Sequence, residues 1–193
     1  MKVIVAKTAG FCFGVKRAVD QVYRQIEEGK KPIYTYGPII HNEEVVRELA
    51  EKGVRIVETE EELRKLKEGT VIIRSHGVPE RIYRLIEAQG LEMIDATCPF
   101  VSKIHRIVQQ ASGEGRFVLI AGNREHPEVQ GIVGHCEGEC FVFSDAEELE
   151  NFSKNHADLC KKPICVVSQT TFSLHEWKNS LKIVKRVYTN AAI

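Results

Sequence analysis

The sequence predicts an α/β protein made of repeated small parallel-sheet units with helices around each sheet. Short apolar runs such as Thr70-Val71-Ile72-Ile73 and Phe117-Val118-Leu119-Ile120-Ala121 alternate with stretches of helical spacing, the pattern of parallel sheets joined by helical crossovers. The same order of features occurs twice along the chain. Composition favours no other class: of 193 residues, 43% are hydrophobic and 28% charged, ordinary values for a globular chain long enough to bury a core without staples.

The charge balance narrows the partners. Lys+Arg 27 against Asp+Glu 27 leaves zero net charge, so nothing draws nucleic acid or an anionic membrane broadly, and any anion site must be local. The opening run Met1 to Ala6 is too short for a signal peptide, and no stretch approaches the roughly 18 apolar residues of a membrane span. The reading is a cytoplasmic protein, with no nucleic-acid or membrane partner. Six cysteines in that compartment are buried small hydrophobes or reactive or ligating thiolates rather than a disulfide framework.

Taken in order, Lys2 to Ala6 reads as an N-terminal strand that leads to a turn at Cys12. Val15, Ala18, Val19, Val22 and Ile26 recur at helical spacing until Gly29. Pro32 to Tyr36 is a short strand broken by Gly37-Pro38. Glu43 to Glu51 is a helix closed by Gly53, Val54 to Val57 a strand, and the charged run Glu58 to Glu68 a solvated helix face. Thr70 to Ile73 is a buried strand delivering Arg74-Ser75-His76-Gly77, Pro79 opens a helix through Ala88, and Leu91 to Ala96 is a strand into Cys98. The pattern then restarts: a helix from Pro99 to Ala111, a strand Phe117 to Ala121, and a helix from near Pro127. A strand Cys140 to Phe143, an acidic segment from Asp145, a strand Ile164 to Val167 and a helix from Ser173 to about Val187 follow.

The repetition is visible residue by residue. Gly37-x-x-x-His41 matches Gly122-x-x-x-His126, Ile72 to His76 aligns with Val166 to Thr170, and Cys12 and Cys98 each sit where a helix opens. These offsets define a unit of about 90 residues. The boundaries expected are 1–13 for the N-terminal strand and first cysteine turn, 14–97 for the first unit and 98–193 for the second. The same spacing would put a further cysteine at about residue 192; Asn190-Ala191-Ala192-Ile193 holds none, so a third unit, with its own cysteine, is expected beyond Ile193.

Cys12, His41, His76, Cys98, His126, Glu128 and Thr170 all fall at such junctions, where ligands bind open parallel sheets because helix N-termini present unpaired N–H groups. They combine soft thiolates for a metal, imidazoles that can donate to phosphate and one carboxylate able to move a proton. Each also has a purely structural reading. A lone post-strand histidine is commonly a cap or surface residue, Glu128 can simply favour a helix dipole, and Thr170 can cap the helix at Ser173. Repetition at matched spacing favours the functional reading. His135-Cys136 with Cys140 resembles half of a zinc spacing without a second half, so Cys136, Cys140, Cys160 and Cys165 are read as structural or incidental. Lys16, Arg17 and Lys103 are read as solvated helix faces, and Trp177 with the phenylalanines as core or partial surface cover.

Gly10-Phe11-Cys12-Phe13-Gly14-Val15, Gly37-Pro38-Ile39-Ile40-His41-Asn42, Arg74-Ser75-His76-Gly77, Asp95-Ala96-Thr97-Cys98-Pro99, His126-Pro127-Glu128-Val129 and Gln169-Thr170-Thr171 closely resemble the 4-hydroxy-3-methylbut-2-enyl diphosphate reductase family. The resemblance runs in order along essentially the whole chain. It implies three similar α/β domains in pseudo-threefold arrangement around a four-iron four-sulfur cluster held by one cysteine from each of three sites, two of those domains being present here. It implies the last step of the non-mevalonate pathway, reductive dehydroxylation of an allylic diphosphate to isopentenyl and dimethylallyl diphosphates, with electrons from a donor such as ferredoxin or flavodoxin. Cys12 and Cys98 are then cluster ligands, His41 and His76 hold the diphosphate, and His126 also contacts substrate. Glu128 becomes the proton source, and Thr170 helps place the reacting hydroxyl and its water. With one thiolate and part of the diphosphate site missing, the chain alone is expected to be inactive and to hold no stable cluster. Two other readings compete: a non-catalytic α/β module that binds a diphosphate or a protein without metal, and a zinc hydrolase using thiols and histidines.

Overall fold

A computed structural model describes residues 2–7, 9–30 and 32–193. It contains two four-stranded sheets, each parallel throughout. The chain divides into two compact units, Met1–Ser75 with Ile86–Cys98, and His76–Leu85 with Pro99–Ile193. The segment 76–85, which the sequence boundaries assign to the first unit, thus clusters with the second.

The first unit opens with helix α1 (Phe13–Glu27), which buries Ala18, Val19 and Val22 against Ile33 and Ile72. Strand β1 (Ile33–Tyr36), helix α2 (Glu43–Glu51), strand β2 (Val54–Val57), the short helix α3 (Glu60–Lys65), strand β3 (Thr70–Ile73), helix α4 (Glu80–Ala88) and strand β4 (Glu92–Asp95) follow. The sheet order is β2-β1-β3-β4. Central strands β1 and β3 are buried along their whole length, which is why they read as continuous apolar runs rather than alternating ones.

The second unit repeats this plan with helix α5 (Pro99–Gly113), strand β5 (Phe117–Ala121), helix α6 (Pro127–Val133), strand β6 (Cys140–Phe143), helix α7 (Ala146–Asn155), strand β7 (Ile164–Ser168), helix α8 (Leu174–Val187) and strand β8 (Ala191–Ala192). Its order, β6-β5-β7-β8, is that of the first sheet. Small details repeat too. Gly37 N–H donates to Val57 O at 2.8 Å and Gly122 N–H to Phe143 O at 2.9 Å, closing each first strand against its neighbour. Thr59 caps α3 by accepting from Glu62 N, and Asp145 caps α7 by accepting from Glu148 N. In both cases the glutamate reaches back to the N–H before the cap, of Glu58 and of Ser144, a variant of the reciprocal capping box.

Two expectations are corrected. Lys2 to Ala6 forms no strand: Val3, Ile4 and Val5 are 75%, 79% and 78% exposed. Their β-branched pattern meets local propensity, but a strand needs a paired neighbour, and neither sheet provides one. Met1 lies outside the described residues. Arg17 is not a solvated side chain, since it donates to Thr97 O at 3.0 Å and Asp95 O at 3.3 Å. Lys16 and Lys103 are exposed as expected. Trp177 is partly buried against the second core, whereas Phe11, Phe13 and Phe100 are 49%, 67% and 68% exposed beside the two junction cysteines. A 3₁₀ turn at Ala157–Lys161 and strand β8 were not anticipated. Among the described residues, no helix is long and apolar enough to cross a membrane.

The second unit buries a stacked pair of imidazoles, His105 and His135, with centroids 4.1 Å apart. Burial, with the neighbouring His135 imidazole, pulls His105 from its ordinary 6.5 down to about 3. The folded state therefore refuses a proton that the unfolded chain accepts. The associated stability is complete above about pH 6.5 and is lost as pH falls from there towards 3. We expect denaturant midpoints of the protein to decline through that window, and His105→Asn to flatten the decline. An identical acid slope in the variant would assign the loss to other groups.

Candidate functional site

The cysteine junctions of the first unit are assembled by α1 and the loop after β4. Cys12 is the N-cap residue of α1, but its side chain makes no capping hydrogen bond and is exposed, leaving the thiol available. Cys98 is fixed by its backbone: Cys98 N–H donates to Ser75 O at 2.9 Å, and Ala96 N–H to Ile73 O at 3.1 Å. Asp95 turns the loop by accepting from Thr97 N at 2.8 Å. Arg17 then bonds the carbonyls of Asp95 and Thr97, tying α1 to the Cys98 loop. Gly14 permits the approach, because a Cβ there would lie 2.6 Å from Cys98 Sγ and 3.1 Å from its Cβ. The Cys98 thiol thus lies against the first turn of the helix that Cys12 opens.

His41 follows β1 and precedes Asn42, which caps α2 by accepting from Val45 N at 3.1 Å. Its loop is anchored from β3, since Ser75 donates both N–H and hydroxyl to Ile39 O, at 3.3 and 3.2 Å. Exposed His41 borders a concavity of about 520 Å3 with Pro38, Asn42, Arg47 and Glu58. Gly37, at φ +71°, lets the Arg74 guanidinium pass where any Cβ would collide; partial burial lowers the Arg74 pKa while Tyr36 opposes that shift.

In the second unit the expected acid and its partners come together. His126 is the N-cap of α6, and its Nδ1 accepts from Glu128 N–H at 3.1 Å. A neutral imidazole accepting at Nδ1 carries its proton on Nε2. Glu128 is only 2% exposed. Its Oε1 accepts from Thr170 N–H at 2.6 Å and its Oε2 from Thr170 Oγ1 at 2.8 Å, so the end of β7 grips the carboxylate carried by the helix after β5. Thr170 is not the cap of α8; Ser173 is, accepting from Glu176 N. The His76 ring meets the His126 ring edge-on at 5.5 Å between centroids.

Some positioning residues escaped the sequence reading. Gln169 accepts from Asn123 N at 3.2 Å, donates to Thr171 Oγ1 at 2.8 Å, and bonds Ala121 O through its own N–H at 2.8 Å, joining the ends of β5 and β7. His135 Nε2 lies 3.1 Å from Val78 O and Glu80 N–H donates to Gly134 O at 3.3 Å, so the C-terminal turn of α6 holds the segment that His76 opens. Gln169 stood within one of the motifs named above; His135 drew notice only as part of an incomplete zinc-like spacing with Cys136 and Cys140, not as a residue that positions its neighbours.

The chain is thus of the parallel α/β class, its strand ends carrying thiols, imidazoles and one buried carboxylate. Comparison with known proteins narrows this. The LytB protein family model matches residues 3–193, and the chain belongs to that family. A 4-hydroxy-3-methylbut-2-enyl diphosphate reductase of Thermoanaerobacter sp. (strain X514) is 44% identical over 187 residues, covering 96% of this chain and 62% of the relative. One of Clostridium acetobutylicum is 44% identical over 185 residues, covering 95% of this chain but 28% of that protein. Among solved structures, (E)-4-hydroxy-3-methyl-but-2-enyl diphosphate reductase, described as the terminal enzyme of the non-mevalonate pathway, superposes with TM-score 0.81 at 37% identity, covering 98% of this chain and 65% of that one. The Plasmodium falciparum reductase gives TM-score 0.82 at 27% identity, covering 96% and 57%. The chain thus spans 62% of the length of its first curated relative.

Gly14→Ala tests the cysteine geometry. The added methyl must displace Cys98, and overpacking of this kind costs about 1–3 kcal/mol. We expect a lower denaturant midpoint together with an altered alkylation rate at Cys98. If neither moves, the close approach of α1 to Cys98 is wrong.

Proposed function

We propose that this chain supplies the first two units of a cytoplasmic reductase that converts 4-hydroxy-3-methylbut-2-enyl diphosphate to isopentenyl and dimethylallyl diphosphates. The observation that carries the reading is the buried Glu128 carboxylate, held by Thr170 at the ends of β5 and β7 beside the His126 and His76 rings. Family membership and the relatives' names support the substrate class.

Cys12 and Cys98 are the proposed ligands of a four-iron four-sulfur cluster, with a third thiolate from a third unit outside these residues. The donor set suits such a group: both are free thiols, Cys12 is uncommitted as a cap, and Gly14 leaves room at Cys98 Sγ. When bound, the cluster supplies electrons, delivered by a donor such as ferredoxin or flavodoxin, and a Lewis-acidic iron. The chain's own residues do the rest. His41 and His76 hold the diphosphate, as fixed N–H donors hold developing and resident negative charge. His126 presents its Nε2–H to the substrate. Thr170 places the hydroxyl to be lost. Each Glu128 oxygen already takes one Thr170 hydrogen and keeps a second lone pair, on which the acid carries the proton it gives to the departing oxygen; reprotonated from solvent, it then gives a second proton to the allylic carbon.

In the protein completed by its third unit, Glu128→Gln should keep cluster absorbance and lose about 10²- to 10⁴-fold in turnover, the usual worth of general acid catalysis. A loss under about tenfold would make Glu128 structural. His41→Ala should raise KM with the absorbance intact. Iron and acid-labile sulfide after anaerobic purification provide the second check: both together are expected, whereas zinc alone or no metal would support the hydrolase or the non-catalytic module.

A further inference from the structure

Beyond the strand-end site, the second unit carries two thiols that the reductase reading does not use. Cys136 ends the turn after α6, its N–H bonded to Val133 O at 3.0 Å. Cys140 opens β6, in register with Val118 of β5. Glu137, Gly138 and Glu139 separate them in a tight turn whose geometry is fixed: Glu137 N–H donates to Ser112 Oγ of α5 at 3.0 Å, and Cys136 Sγ lies 3.4 Å from Gly138 O. Both cysteines pack against the same core cluster, four residues apart across this turn. Cys136 also borders a concavity of about 220 Å3 whose rim includes Glu80, Arg81 and Arg84 of α4 and Glu137, so a small molecule can reach it.

We propose that Cys136 and Cys140 form a thiol–disulfide exchange pair, a modification site that reacts with small disulfides and closes to an intramolecular disulfide across the turn.

The two thiols are unequal in the way such a pair requires. Hydrogen bonding from Cys140, and then from the Gly138 backbone and Ser112, brings Cys136 from 9.0 to about 6, against burial and the adjacent Glu137 charge. Cys140 is pushed up, first by that same bond to Cys136 and then by burial. Beyond the turn, the charged groups of α4 face the concavity and Cys165 of β7 lies on the far side of Val118. At neutral pH Cys136 is a thiolate of good nucleophilicity, and Cys140 is its protonated neighbour.

The chemistry balances with a disulfide as oxidant. The Cys136 thiolate attacks one sulfur of R–S–S–R, forming a Cys136–S–S–R bond as the S–S bond breaks and RS⁻ leaves. Cys140 gives its proton to solvent and attacks the Cys136 sulfur, forming Cys136–S–S–Cys140 and releasing the second RS⁻. The protein loses two electrons, and the small disulfide gains them as two thiols.

The test is oxidised glutathione added anaerobically to the reduced 193-residue chain, followed by alkylation and tryptic mapping. The expected product is one peptide carrying both Cys136 and Cys140 with two hydrogens fewer and no glutathione. Cys140→Ser should instead trap glutathione on Cys136, and Cys136→Ser should leave Cys140 unmodified. Cys136 should react at least about tenfold faster than Cys160 at pH 7, with its rate falling to half near pH 6. A persistent glutathione adduct on Cys136 of the unsubstituted chain, or labelling of Cys136 no faster than Cys160, would overturn the proposal. Because the first comparison uses the unsubstituted protein, a poorly folded variant does not rescue it.

Discussion

Strands that all run one way must return through helices, and this single constraint organises both units. Each parallel crossover leaves a strand at its C-terminal end and enters a helix at its N-terminal end, so the loops at that end gather the free backbone N–H groups and the positive ends of the helix dipoles. His41 between β1 and α2, Cys98 between β4 and α5, and His126 between β5 and α6 occupy such positions. Their location follows from topology rather than from any attraction among the side chains. The sheets themselves rest on fully buried central strands, with Ile72, Ile73, Leu119 and Ile120 at 0% exposure. The many ion pairs on the helix surfaces, such as Lys16–Asp20 and Lys154–Glu150, are solvated and add little.

Most of this was legible in the sequence because parallel strands buried on both faces leave an unmistakable trace. Thr70 to Ile73 and Phe117 to Ala121 were placed to the residue, since apolar runs of that length bounded by glycine or charge admit few alternatives. Strand β8 was not legible: Ala191 and Ala192 have little strand preference, and their pairing with Ile164 and Cys165 is a tertiary fact. Lys2 to Ala6 failed in the opposite sense, its pattern being right for a strand that finds no neighbour. Arg17 shows a third kind of limit. Helical spacing put it on an outer face, but the carbonyls it bonds belong to a loop far along the chain.

The candidate site divides in the same way. Residue types and their positions at strand ends could be read from the internal repeat, and the repeat itself returns in the structure as identical strand orders and matched caps on α3 and α7. What spacing cannot contain is the distance between side chains from different elements. The double hold of Thr170 on Glu128, the contact of Gly14 with Cys98, and the bridge Gln169 makes between β5 and β7 all depend on packing between residues remote in sequence.

One of the two bonds that hold Glu128 comes from the main chain of residue 170 and the other from its hydroxyl. These two anchors respond differently to mutation. Any residue except proline at position 170 still offers the N–H, so the carboxylate stays moored to β7 whatever side chain is tried there. Variation at this position can therefore explore new contacts with a bound molecule while the orientation of the acid is conserved by the backbone. In the function proposed above, the backbone bond keeps the acid oriented, so a change of side chain at residue 170 alters how substrate is placed without dismantling the hold on Glu128.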